Sequence, residues 1–165
     1  MKEITEKIQT IAARLFEEGK IDVFIAWEKG ERDYQVKAYV ARSKEDVKNI
    51  VFNEYAIYNV ANMLLKFRDG HERIGIAVKG CDSRGIVRLL EDLQIKRERL
   101  YIVGIPCPGL KDPLAAARNY GGFRKQAEPE GLAKKCLDCI QPNPVIYDDI
   151  IGPEQSPRQQ GERFA

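Results

Sequence analysis

Proline is confined to one end of this chain: none of the first 105 residues is proline, and all eight prolines fall between Pro106 and Pro157. Proline fixes φ and removes a backbone donor, so it punctuates helices and strands. The front of the chain is therefore free to form regular helix and sheet, and the back is expected to be mostly loops wrapped on that body. Hydrophobic spacing agrees with this division. Ile4, Ile8, Ile11 and Leu15 recur at helical intervals and predict an amphipathic helix over 2–18, closed by Gly19. Residues 23–27 and 35–41 read as two strands, and Lys29-Gly30-Glu31 between them reads as a hairpin connection. Ser43 with Asp46 is a capping-box-like start to a second helix, and Ile57, Val60, Ala61, Leu64 and Leu65 mark a third, closed by Asp69-Gly70. The clearest unit follows: strand 74–79, helix 83–93, strand 100–105. A strand–helix–strand crossover of these lengths implies two parallel strands. The expected fold class is α/β, a mixed, partly parallel sheet flanked by helices, with a Pro-rich, loop-dominated C-terminal segment.

At 165 residues the chain is long enough for one domain with a real core. Residues 1–150 are expected to form that domain and 151–165 a flexible tail or linker, since Gln155 to Arg163 has too little apolar surface to bury. The tail stops at Phe164-Ala165 without an element to close it, which reads as a linker towards a further module. An apolar content of 44% with 32% charged residues describes a globular chain. The net charge of +2 lacks the concentrated basic face that phosphate binding needs, which argues against nucleic acid as the main partner. No apolar stretch approaches the ~18 residues of a membrane span, and the N-terminus has no signal-peptide core. A cytoplasmic location is expected, where thiols stay reduced and a cysteine set reads as metal-binding or catalytic.

Four cysteines occur, all beside chain breaks and not within hydrophobic stripes. Cys81 follows the apolar run ending in Val78-Lys79-Gly80, Cys107 follows Val103-Gly104-Ile105-Pro106, and Cys136 and Cys139 form a CxxC pair. Thiols flanked by glycine, proline and charge look like ligands, and four thiolates are what one iron–sulfur cluster or one structural zinc requires. Parallel strands end on the same edge of a sheet, ~4.8 Å apart. Cys81 and Cys107, 26 residues apart in sequence, are therefore expected side by side at the edge where open α/β sheets place ligands. The CxxC has only to fold back over that edge. Lys79, Arg84, Lys134 and Lys135 flank three of these cysteines, and such charges would raise the reduction potential of a negatively charged cluster. Pro142 and Pro144 are expected to keep the CxxC out of a helix, against a thioredoxin-type site. Structural zinc, which usually draws on two close pairs, is the first alternative, in a domain that docks redox partners without carrying electrons. A cofactor-free assembly module with incidental thiols is the second. His71, the only histidine, reads as a solvated turn residue; Gly121-Gly122 reads as a turn; Trp27, Tyr34 and Tyr39 fit a half-buried sheet.

The run Gly75 to Arg84, the segment Leu100 to Gly109 and Lys135-Cys136-Leu137-Asp138-Cys139 with Pro142 and Pro144 resemble the beta-subunit family of deazaflavin-reducing hydrogenases and formate dehydrogenases. That family carries a Cys-Asp-x-Arg turn after one strand, a Gly-x-x-Cys turn after the next, and a later CxxC. Related chains occur beside heterodisulfide-reductase-like complexes in anaerobes. The resemblance covers roughly residues 74–150. It implies that Cys81, Cys107, Cys136 and Cys139 ligate one [4Fe-4S] cluster, with Asp82, Ser83 and Arg84 standing behind it or beside a flavin. It also implies FAD as a second cofactor, other redox subunits as partners, and a role as an oxidoreductase subunit or domain and not a complete enzyme. The family commonly adds a ferredoxin-like module with CxxCxxC runs, which this sequence lacks; Glu162-Arg163-Phe164-Ala165 reads as the lead-in to one.

Overall fold

Two strands in the middle of the sequence are apolar on both faces, the signature of a sheet covered on both sides. In the computed structural model, which describes residues 1–120 and 131–156, these are β3 (Ile74–Lys79), wholly buried, and β4 (Leu100–Ile105), buried at every residue but one. β1 (Val23–Lys29) joins them and β2 (Val36–Ala41) lies at one edge, where its burial is only partial. A two-residue strand, β5 (Asp149–Ile150), closes the other edge. The strand order is β2-β1-β3-β4-β5, with β1–β2 an antiparallel hairpin and the other three pairings parallel. The mixed sheet flanked by helices is thus the one the spacing predicts.

The first helix, α1 (Lys2–Glu17), buries Ile8, Ala12 and Leu15, packs on β3, and gives way to Gly19 in the left-handed region at φ +59°. The crossover helix α2 (Gly80–Glu91) packs on β3 and β4. It begins three residues before the predicted start, so Cys81 lies inside its first turn and not ahead of it. Two expected α-helices are 3-10 segments instead, Glu45–Asn49 and Val60–Phe67. Windings of about 3.6 and about 3.0 residues per turn place apolar residues almost alike over so short a span, so periodicity does not separate them. At the first, the Asp46 carboxylate accepts the Arg42 N–H at 2.9 Å and closes a turn where a capping box was expected. At the second, Asn59 caps the Ala61 N–H at 3.0 Å, while Val60, Ala61, Leu64 and Phe67 are buried.

The Pro-rich segment holds more regular structure than expected: α3 (Pro113–Tyr120), the single turn α4 (Lys134–Leu137), and β5. Cys136 sits in α4, contrary to the expectation from Pro142 and Pro144. Those prolines lie beyond the turn, which needs only the Ala133 carbonyl, bonded by the N–H groups of Cys136 at 2.7 Å and Leu137 at 3.1 Å. Ile151 is buried and donates to the Gly104 carbonyl at 2.8 Å, and Gln155 exchanges two hydrogen bonds of 2.8 Å with Asn143. The turn expected at Gly121-Gly122 and the tail from 157 onward lie outside the described residues. Among the described residues, no helix is long and apolar enough to cross a membrane.

Candidate metal centre

The pairing of β3 with β4 runs in register to their last residues, Lys79 opposite Ile105. Cys81 and Cys107 each follow by two residues, so the strands deliver both thiols to the same edge. Cys107 is fixed there by its own N–H, which donates to the Pro142 carbonyl at 3.0 Å. The CxxC is brought to this edge by three ties. Ala133 donates to the Leu110 carbonyl at 2.8 Å, Lys111 donates to the Glu54 carbonyl at 2.7 Å, and the Lys135 ammonium donates to the Ile57 carbonyl at 2.5 Å. Cys139 follows the α4 turn, its thiol 3.5 Å from the Gln141 carbonyl oxygen.

The chain after Cys139 then lies down on α2 and β4, and two glycines make room for it. A Cβ on Gly80 would stand 2.7, 2.8 and 2.9 Å from the carbonyl oxygens of Asn143, Gln141 and Pro142. A Cβ on Gly104 would stand 2.9 Å from the Pro144 ring. Arg84 holds Gln141 through its carbonyl at 3.3 Å and its side-chain oxygen at 3.0 Å. The Ser83 hydroxyl donates to the Gly80 carbonyl at 2.9 Å and accepts the Val145 N–H at 3.0 Å. Asp148 finishes the seam, accepting the Ile102 N–H at 2.7 Å and the Arg97 guanidinium at 2.5 Å.

The outcome is one cavity of about 260 Å³ with all four cysteines in its wall, together with Lys79, Gly80, Arg84, Lys135 and Gln141. Charge couples the thiols across it. Burial pushes the Cys107 thiol up to about 11; the Gly109 amide bonding towards the sulfur and the Lys79 ammonium pull the other way, while Cys136 and Cys81 add to the rise. Burial, helped by the Asp82 carboxylate, also raises Cys81; Lys79 and Lys135 oppose it and Cys139 adds to it. Buried thiols of raised pKa are poor nucleophiles, whereas a metal displaces the proton when it binds.

Size and spacing test what this donor set fits. Clefts that bury drug-sized organic ligands hold roughly 300–1,000 Å³, and this cavity lies just below that range, a size that suits a compact group. A single tetrahedral zinc, with Zn–S near 2.3 Å, needs its four sulfurs within roughly 4 Å of one another. Among the described residues no three Cys, His, Asp or Glu side chains converge to hold a single metal ion. What the four cysteines share is the wall of one cavity, and four thiolates are the donor set of an iron–sulfur cluster or a structural zinc.

Of the three residues expected beside a cofactor, Arg84 alone reaches the cavity; Asp82 and Ser83 are fully buried behind it. Lys79 has an importance that flanking charge alone did not reveal. It is 1% exposed and forms a 2.7 Å ion pair with Asp82. The available signal was a lysine ending an apolar strand with an acid three residues later. His71 is exposed, as expected, and Trp27 is fully buried, its indole N–H donating to the Tyr58 carbonyl at 2.9 Å.

No family model matches the chain. Among curated proteins it is 26% identical, over 124 residues, to the F420-dependent formate dehydrogenase 1 subunit beta of Methanococcus maripaludis. It is 25% identical, over 125 residues, to the F420-dependent formate dehydrogenase subunit beta of Methanocaldococcus jannaschii. Over these stretches the chain is similar to the two beta subunits. Each alignment covers 75% of this chain and 32% of the formate dehydrogenase subunit, so the chain spans about a third of the length of these relatives. Its fold matches a chain of the F420-reducing [NiFe] hydrogenase complex from Methanosarcina barkeri with a TM-score of 0.60 at 20% identity, over 76% of this chain and 47% of that one.

Proposed function

We propose that this chain is an iron–sulfur electron-transfer domain of an oxidoreductase complex of the formate dehydrogenase or hydrogenase type, with Cys81, Cys107, Cys136 and Cys139 holding one [4Fe-4S] cluster. The observation that carries this reading is the single cavity into which four cysteines from three separate segments converge. The similarity to beta subunits of formate dehydrogenases supports the redox setting and a partnership with other redox subunits.

The protein's own part in such chemistry is to bind, insulate and orient. Cys81 and Cys107 are presented by the parallel strand pair, and Cys136 and Cys139 by a turn pinned at Ala133 and Lys135. Pro142 and Leu110 are buried and border the cavity, giving it an apolar side. When bound, a [4Fe-4S] group supplies reversible one-electron transfer. Protein purified without oxygen tests the reading by visible absorption and by EPR after reduction. A broad sulfur-to-iron absorption that is lost in Cys139→Ser supports it. A colourless protein with stoichiometric zinc would defeat it, as would metal content unaffected by Cys139→Ser.

A further inference from the structure

Lys79 and Asp82 stand where charge is hard to keep. Their side chains are 1% and 0% exposed, with Nζ 2.7 Å from Oδ2. The ammonium also donates to the Tyr58 carbonyl at 3.1 Å and lies 4.1 Å from the centroid of the buried Trp27 ring. The Asp82 Oδ2 accepts the Lys79 backbone N–H at 2.9 Å, while Oδ1 is buried without a hydrogen-bond partner. Desolvating two charges commonly offsets their attraction, and apolar side chains of similar volume often serve a core better. Packing alone does not explain this pair.

Its placement does. Lys79 is part of the wall of the four-cysteine cavity and Asp82 is not, so the two paired charges stand unequally towards it. At Cys81 the Asp82 carboxylate outweighs the Lys79 ammonium, whereas at Cys107 Lys79 acts and Asp82 is not among the influences. The other cations nearby are less secluded: Lys134 and Lys135 are exposed and Arg84 is partly so. Water and salt screen exposed charges far more than buried ones.

Building on the cluster reading, we propose that the buried Lys79–Asp82 pair sets the reduction potential of the group held by the four thiolates, the ammonium raising it and the carboxylate lowering it. Reduction adds one electron to the site from a low-potential donor, dithionite in the experiment, and neither makes nor breaks a bond to the protein. The added negative charge is stabilised by Lys79 and opposed by Asp82, through a low-dielectric interior in which neither is strongly screened. The pair acts on the site as a positioning element and touches no substrate.

Potentiometric titration of the wild type, Lys79→Met, Lys79→Arg and Asp82→Asn, followed by EPR without oxygen, tests the assignment. Lys79→Met is expected to lower the midpoint by at least a tenfold change in the reduction equilibrium, about 59 mV for a one-electron couple. Asp82→Asn is expected to raise it, and Lys79→Arg to restore most of the loss. Shifts of opposite sign are what a purely structural pair would not produce. If Lys79→Met does not fold, Asp82→Asn, nearly isosteric, carries the test. Unmoved potentials, or shifts of the same sign in folded, iron-loaded variants, overturn this proposal and leave the cluster reading standing. A wild type that holds no iron overturns both.

Discussion

Gly80→Ala sets two physical arguments against each other. Gly80 is the first residue of α2, and alanine is favoured over glycine in helices by about 1 kcal/mol, so helix propensity predicts a gain in stability. The site predicts a loss. The new methyl would stand 2.7–2.9 Å from three successive carbonyl oxygens, where ordinary contact begins at 3.4 Å, so the 141–143 backbone has to withdraw by roughly half an ångström or more. That backbone includes Pro142 and is tied by the Cys107 N–H and by Arg84, so it cannot yield as a flexible side chain would. Overpacking of this kind costs about 1–3 kcal/mol. The net expectation is destabilisation by up to about 2 kcal/mol, a fall in Tm of up to several degrees for a domain of this size. Because Pro142 positions Cys107 and Gln141 accepts from Cys139, iron content should fall as well. Differential scanning calorimetry of the metal-free protein and iron analysis of the loaded protein measure both effects. A Gly80→Ala protein of equal or higher Tm that retains its iron would refute the idea that this close approach builds the site.

Further outcomes follow from other parts of the structure. Leu93 sits at φ +55° and is 89% exposed, so Leu93→Gly relieves backbone strain without emptying the core and should raise Tm by an amount equivalent to about 0.5–1 kcal/mol. In the metal-free protein, Cys107 keeps its proton up to about 11, against 9.0 for an ordinary thiol. The unfolded chain loses that proton first, so stability is full below pH 9 and falls as pH rises towards 11; urea melts across this range should show the midpoint declining by the equivalent of about 3 kcal/mol at most, and a flat profile contradicts the buried placement of the sulfur. Chelation of bound metal should lower Tm markedly, because part of the ligation free energy is folding free energy, and Cys107→Ser should reproduce most of that loss.

What the sequence made legible and what it hid have physical causes. The β3–α2–β4 unit was readable because an unbroken apolar strand, an amphipathic helix and a second apolar strand follow one another within about thirty residues. From that unit alone, parallel geometry places Cys81 beside Cys107. The convergence of Cys136 and Cys139 on the same cavity was readable from composition, since cysteines amid glycine, proline and charge have little use as packing groups. β5 was hidden because two residues carry no periodic signal; Asp149 and Ile150 become a strand only through pairing with Val103 and Gly104. α3 was hidden by over-reading proline as a breaker, although Asp112-Pro113 ahead of Leu114 and three alanines is a helix start, and Asp112 does accept the Leu114 N–H at 2.8 Å. The burial of Lys79 was hidden because a strand-terminal lysine normally reaches solvent, and only the fold shows that α2, Trp27 and the 58–67 segment close over it.

Four distant sulfurs sharing one iron-containing group would place iron at a single spot in the molecule. Anomalous diffraction at the iron edge, from crystals grown without oxygen, addresses it most directly. One strong peak is expected inside the β3–β4 edge cavity, within bonding reach of Cys81, Cys107, Cys136 and Cys139. No iron peak, a zinc signal in its place, or iron bound by only two of these cysteines would contradict it.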